Sequence, residues 1–241
     1  KTLELLKQDN VIIYEAAFKY KNPFIRTDII EKKGNVVNLY EVKAKSFAGR
    51  DSSDMLNKKG FLDSEWHDYM YDVVFQKYVI TQAYPEWKVN AHLMLADKNS
   101  IATVNGLNQK FQLKTMEDDR TYVEIIGGTT KKDIGEEILI RINVDDLIER
   151  INSGTDTNTP PENGFIDNIQ NWANSYEKDK KIFTPINKNC QGCEFNTDDE
   201  EEALGKKSGF KECWSEQLKW NKNQFKKPLI FEIWNFRGKQ K

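Results

Sequence analysis

Phe24-Ile25-Arg26-Thr27-Asp28-Ile29-Ile30 and Val36-Val37-Asn38-Leu39-Tyr40-Glu41-Val42-Lys43 decide the fold. Both stretches are rich in β-branched and aromatic residues, and Lys32-Lys33-Gly34-Asn35 between the strands is turn chemistry, so together they read as a β-hairpin. Upstream, Val11 to Phe18 (VIIYEAAF) reads as another strand, which makes the opening a three-stranded meander. Downstream, Phe47 to Gly60 is polar, with Gly49 and several Asp and Ser, and is expected to be a mobile loop. Leu62 to Tyr84 is the clearest helix: Asp63 or Ser64 can cap it, Trp66, Met70 and Val73 follow helical spacing, and Pro85 stops it. On that helix Glu65, Asp72 and Gln76 share one polar stripe. Val89 to Ala96 returns to alternation as a further strand. Strand, strand, strand, helix, strand predicts an α/β fold with a mixed sheet flanked by helices.

Beyond this core the pattern weakens. Thr121 to Ile126 and Ile138 to Ile142 look strand-like, Val144-Asp145-Asp146 opens a helix through Ile151, and Ile166 to Tyr176 reads as another helix. Ser153 to Gly164, centred on Pro160-Pro161, reads as a linker. The chain has 241 residues, enough for one large domain or one domain with an appendage. Aromatics at 12%, six of them Trp, supply a core and argue against disorder. No apolar run approaches the ~18 residues of a membrane span, and no basic-then-apolar segment opens the chain, so no membrane is expected and the location is expected to be cytoplasmic. A net charge of −2 does not announce a nucleic-acid binder, yet an acidic total can hide a local basic cleft. The three cysteines, Cys190, Cys193 and Cys213, all lie in the last quarter. Their CxxC spacing in a cytoplasmic protein favours metal or cluster binding over a disulfide.

The chemistry concentrates on the hairpin. Glu41 and Lys43 are two apart on one strand and point to one face. Asp28, near the end of the neighbouring strand, can sit beside them across the ladder. Two carboxylates then converge with an ammonium alongside. Adjacent carboxylates repel and favour a divalent cation between them, and oxygen-only ligation suits Mg²⁺ or Mn²⁺. Such an ion polarises a phosphate oxygen and lowers the pKa of a bound water, while Lys43 positions that water or neutralises transition-state charge. Gln76, facing the site from the helix, can orient water or phosphate without adding charge. The plain alternative is that Asp28 and Glu41 are strand-edge charges paired to Arg26 and Lys43, with Asp72 and Gln76 on a solvated helix face. Arg26 and Lys45 are candidate phosphate contacts or ordinary surface cations. With two histidines, His67 and His92, and no HxxxH or HxH spacing, a histidine-based metal site is not expected. Lys219 to Lys227, with Trp220 and Phe225 interleaved, either touches single strands or anchors an amphipathic segment.

These residues resemble the PD-(D/E)XK nuclease superfamily. Asp28, Glu41-Val42-Lys43 and the strand–hairpin–helix–strand order are similar to its core. Tyr71-Asp72-Val73-Val74-Phe75-Gln76-Lys77-Tyr78 is similar to the Gln-bearing helix of the RecB-like branch, which includes CRISPR-associated and repair-associated members. Cys190-Gln191-Gly192-Cys193 and Cys213-Trp214 look like the cysteine tail that binds an iron–sulfur cluster in some of them. The resemblance spans roughly residues 11 to 97 and 188 to 214. It implies a restriction-endonuclease-like fold, with a nuclease-like domain at 1–184 and a Cys-containing segment at 185–241. It further implies metal-dependent hydrolysis of phosphodiesters, DNA favoured over RNA, with exonuclease action suggested by the branch alone. Asp28 and Glu41 would hold Mg²⁺ or Mn²⁺, Lys43 and Gln76 would act in catalysis, and Asp72, Arg26 and Lys45 would support them. The rival expectation is a catalytically inactive nucleic-acid-binding or assembly module that retains the fold.

The sequence departs from the branch in three places. Ile80 stands where a Tyr is expected four residues after the Gln, with Tyr78 two after it. An acid or His usually comes from a helix before the first strand; Glu4 and Asp9 are poor candidates, and Glu15 could substitute as a metal ligand. Cluster-bearing members use four cysteines, one upstream of the core, whereas three are present here. Zinc or a cluster at Cys190, Cys193 and Cys213 would therefore be incomplete. As the chain begins at Lys1, an upstream segment carrying a helix, an acid and a cysteine is expected.

Overall fold

A five-stranded mixed sheet, β1-β2-β3-β4-β7 in spatial order, organises the N-terminal unit of this computed structural model. Its strands are β1 (Asn10–Lys19), β2 (Phe24–Lys33), β3 (Val36–Phe47), β4 (Lys88–Asp97) and β7 (Leu139–Asn143), while β5 (Phe111–Thr115) and β6 (Thr121–Ile125) form a separate hairpin. Residues 1–241 are described except 118, 120, 159–161, 230–231 and 234–241; the Pro160-Pro161 pair at the centre of the expected linker lies outside them. The chain divides into two units, Lys1–Asn174 and Ser175–Lys241, earlier than the 184/185 boundary expected from sequence. Among the described residues no helix is long and apolar enough to cross a membrane.

The meander forms as the turn chemistry predicts. Gly34, at φ +59°, takes the left-handed conformation that closes β2 onto β3. β3 then pairs in parallel with β4, and the helix α2 (His67–Ala83) makes the connection that parallel strands require. β7 closes the far edge antiparallel to β4. Helix α1 (Thr2–Leu5) is a single turn before β1, and α3 (Asp145–Ser153) and α4 (Phe165–Glu177) follow β7.

Burial along β1 and β2 is not a plain alternation. In β1 the buried residues are Ile13, then Ala16 and Phe18; in β2 they are Ile25 and Thr27, then Ile30 and Lys32. The register pairs Ile13 with Ile30, Ala16 with Thr27 and Phe18 with Ile25. Both strands therefore turn over together between these pairs. Glu15, at φ +54°, is the residue in the left-handed region at that point. Thr27 stays inside by donating from Oγ1 to the Ala16 carbonyl.

Helix α2 is covered nearly all round. Met70, Val73, Val74, Val79 and Ile80 are buried, and only Asp68 and Gln82 of its residues are exposed. Such a helix is a central core element rather than an amphipathic surface one. Lys77 on α2 donates to Asp145 at 2.7 Å, and the Asp145 carboxylate also accepts from the Ala91 amide, which ties α2, β4 and the start of α3 together. The stretch from Phe47 to Gly60, expected to be a polar, mobile loop, reaches into the core. It contains a 3₁₀ turn, Ser52–Met55, whose Met55 is fully buried, and Phe47 packs edge-on against Trp66 at 5.3 Å.

The second unit contains α5 (Asp199–Ala203) and α6 (Gly209–Leu218). Phe210 stacks on Trp214 at 5.1 Å, Trp214 packs on Trp220 at 4.9 Å, and Trp220 meets Phe225 at 5.5 Å. Of the two roles open to Trp220 and Phe225, the packing favours aromatic anchors. Cys190, Cys193 and Cys213 are half-buried and free of disulfides.

The alternation of β3 gives a direct test. Leu39 is fully buried and Val42, on the other face, is 39% exposed. Leu39→Ala should cost about 3 kcal/mol in denaturant unfolding, whereas Val42→Ala should cost roughly 0.5 kcal/mol or less. Equal losses would contradict the register.

Candidate active site

Past the pair Ile29–Tyr40, the recorded β2–β3 register ends. β2 continues towards Phe24 paired only with β1, and β3 continues towards Phe47 paired only with β4. The sheet thus forks at Asp28 on β2 and Glu41 on β3. The Val42 N–H beyond the fork donates to Asp28 Oδ2 at 2.7 Å, so the carboxylate replaces a ladder partner. Asp28 is held beside Glu41 closely enough for its charge to act on the Glu41 carboxyl.

On β3, Glu41, Lys43 and Lys45 share the face turned to α2 and to the 3₁₀ turn Ser64–Trp66 before it. Each finds a partner there. Gln76 Nε2 donates to Glu41 Oε2 at 2.7 Å, Lys43 Nζ to Asp72 Oδ2 at 2.7 Å and Lys45 Nζ to Glu65 Oε2 at 2.9 Å. Two cross-links close the first four residues into a ring: Lys43 Nζ lies 2.6 Å from Glu41 Oε1, and Gln76 Nε2 also donates to Asp72 Oδ1 at 3.0 Å. The ammonium and the amide therefore each bridge the same two carboxylates. Lys45 Nζ lies 4.6 Å from the centre of the Trp66 ring, within cation–π range.

The charges respond to burial and to one another. Burial pushes the Glu41 carboxyl above its ordinary value; contacts with Lys43 and Gln76 work against this, and the charges of Asp72 and Asp28 add to it. For Asp72 burial also pushes upward, but the hydrogen bonds from Lys43 and Gln76 outweigh it and hold the carboxyl below the usual range. For Lys43 burial pushes downward, and the partnership with Asp72 and Glu41 overcomes it, holding the ammonium well above its ordinary value. Glu41 is thus the strained acid of the pair, at 5% exposure, and Asp72 the satisfied one.

Among the described residues no group of three or more His, Cys, Asp or Glu side chains stands in a metal-holding arrangement. Cys190, Cys193 and Cys213 form none either. The donor set at the fork is nonetheless all oxygen, which suits hard divalent cations. Gln76 adds an oxygen of the same kind: its Oε1 is buried and has no hydrogen-bond partner among the described residues. The residues fit such a cation in kind, while the Lys43 ammonium lies between two of the carboxylates.

Of the residues singled out from sequence, Glu41, Lys43, Asp72 and Gln76 meet directly, Asp28 stands beside them, and Lys45 pairs one step along the same face. Glu15 and Arg26 are not part of this ring. Arg26 Nε pairs with Glu15 Oε2 at 2.6 Å, with both side chains more than half exposed. Arg26 is therefore the partner of Glu15 rather than of Asp28. The turnover of β1 at Glu15, which no residue pattern announces, accounts for this displacement. His92 is half-buried, with its ring 4.9 Å from that of Tyr40, and His67 Nε2 lies 3.3 Å from the Leu62 carbonyl; neither His enters the ring. Comparison with protein-family models, with curated proteins and with solved structures found no match.

Removing the ammonium should expose the repulsion it neutralises. Lys43→Met should destabilise the protein by about 1–3 kcal/mol at neutral pH, less than for a fully buried pair because Asp72 is 39% exposed. Asp72, with its carboxyl lowered, contributes stability above the ordinary aspartate value and loses it as pH falls through the lowered one. Glu41, with its carboxyl raised, is destabilising when ionised and is relieved as pH falls through its raised value. In Lys43→Met the Asp72 contribution is reduced to what Gln76 supplies, and the Glu41 penalty is larger. The deficit relative to the native protein should therefore shrink on acidification through the carboxylate range. Urea unfolding at a series of pH values measures this, and a deficit independent of pH would contradict it.

Proposed function

We propose that this chain is a metal-dependent nuclease of the PD-(D/E)XK kind, with a restriction-endonuclease-like core similar to the RecB-like branch and DNA as the favoured substrate. The observation that supports this reading is the convergence at the fork: Asp28 beside Glu41, and Lys43 and Gln76 bound to Glu41. A divalent ion bound there would supply Lewis-acid polarisation of the phosphate and an activated water. Asp28 and Glu41 hold the anionic oxygens in place. Lys43 brings a persistent positive charge to the point where a phosphate would accumulate negative charge in the transition state. Gln76 fixes the Glu41 carboxylate and presents an uncharged polar group to water or phosphate. Asp72 orients Lys43, and Lys45, lying against Trp66, extends the cationic side of the same face. Cys190, Cys193 and Cys213 are proposed as ligands of an iron–sulfur cluster or zinc, for which further ligation is required.

The second reading is a non-catalytic nucleic-acid-binding or assembly module on the same fold. It is favoured by the way Lys43 and Gln76 already engage both Glu41 and Asp72. Metal dependence separates the two readings. End-labelled single- and double-stranded DNA and RNA, incubated with Mg²⁺ or Mn²⁺, should be cleaved by the native protein and spared with EDTA. Glu41→Gln and Lys43→Ala should each lower the cleavage rate by about 10³-fold with the fold retained by circular dichroism. Cleavage by both variants at the native rate would remove this site from the reaction, and nucleic-acid binding without metal-dependent cleavage would favour the second reading.

A further inference from the structure

Gln76 raises a question that its hydrogen bonds do not answer. The residue is 5% exposed, its Nε2 is shared between Glu41 and Asp72, and its Oε1 is buried without a partner. A buried amide oxygen left unpaired costs about 1–3 kcal/mol. Turning the amide over would place the oxygen against two carboxylates, which is repulsive unless a positive charge lies between them. In the observed arrangement the positive charge between them is the Lys43 ammonium, at 2.6 and 2.7 Å from one oxygen of each acid. That ammonium is donor-only and already directed at Glu41 and Asp72, so the amide presents its N–H groups to the remaining oxygens.

We propose that Gln76 is a metal-ligating residue through Oε1, and that Lys43 is the internal cation that competes with the metal for Glu41 and Asp72. The inference rests on the reading of the fork as a divalent-cation site at Asp28 and Glu41, and goes beyond it in adding Asp72 and Gln76 to those ligands and in naming their competitor. Two states follow. In the closed state, Lys43 and the Gln76 N–H groups bridge the carboxylates, as observed. In the loaded state, the ammonium gives up its bridging position and the amide turns over, so that the orphaned oxygen joins Glu41 and Asp72 around the ion. The same motion releases Lys43 from its carboxylate partners, so the ammonium becomes available to the substrate only when the cation is present. Lys45 does not compete, because Glu65 and the Trp66 ring hold it one step along the strand.

Mn²⁺ binding read from the room-temperature EPR signal of the free ion tests this without any cleavage assay. Removing the charge of Lys43 should tighten binding: Lys43→Gln and Lys43→Met should each lower the Mn²⁺ dissociation constant by about tenfold. Lys43→Arg, which keeps the charge, should bind no tighter than the native protein. Gln76→Leu should weaken binding by about tenfold, and Gln76→Glu should strengthen it. Circular dichroism identifies variants that fold, and Lys43→Gln, which can still hydrogen-bond, carries the test if Lys43→Met does not. Native-like affinity in a folded Lys43→Gln, or in a folded Gln76→Leu, overturns the inference. Absence of Mn²⁺ binding in every protein overturns the inference and the metal-site reading together. The expected order of affinities in a protein that cleaves no nucleic acid supports the inference and overturns only the nuclease reading.

Discussion

The structure around the fork depends on one ammonium. Glu41 is almost fully buried between the sheet and α2, where an unpaired carboxylate would cost several kcal/mol. Lys43, two residues along the same strand, supplies the compensating charge, and the pleat guarantees that it emerges on the same face. Asp72 then holds the far side of that ammonium, one helical turn before Gln76 holds the far side of Glu41. No residue of the four is fully satisfied by its own element. The ring exists only when β3 and α2 are packed together, so the site and the core form together.

The fork explains why the acids are here and not elsewhere on the sheet. In the middle of a ladder a backbone N–H is taken by the neighbouring strand. Where β2 parts from β3, the Val42 N–H needs another acceptor, and Asp28 provides it. This fixes a carboxylate beside Glu41 without burying it fully. The opening also leaves the two strands unpaired with each other on the far side. Parallel pairing of β3 with β4 sets Glu41 and Val42 opposite Leu93 and Met94, and the ladder is then interrupted between Val42 and Ser46.

Much of this could be read from the residues. The hairpin was legible because Gly34 offers the positive φ that its turn needs, and Glu41 and Lys43 because a period of two leaves no choice of face. The stripe of Glu65, Asp72 and Gln76 was legible as a stripe, but its partners became apparent only once α2 lay along β3, matching them to Lys45, Lys43 and Glu41. Other features carried no local signal. The turnover at Glu15 arises from pairing of two strands, and it moved Glu15 and Arg26 into a surface pair of their own. β5 was missed because Phe111–Thr115 carries a single β-branched residue, whereas its ladder partner β6 carries Thr121, Val123 and Ile125. Met55 reads as part of a polar loop until the core closes over it.

The choice of side chains in the ring has a physical logic of its own. A glutamate at position 76 would add a third anion beside the buried Glu41 and the part-exposed Asp72, raising a repulsion that one ammonium does not offset. A leucine there would leave the inner oxygens of both acids without donors. The carboxamide avoids both, since it donates in the absence of a cation and has an oxygen to offer in its presence. Arginine at position 43 would fill the gap with a planar fork rather than a compact, flexible point charge, and such a fork suits one carboxylate held edge-on better than two held apart. A lysine on its four-carbon stem can bridge two acids and then withdraw. The exchange of an internal for an external cation proposed above would draw on these properties of the lysine and the carboxamide.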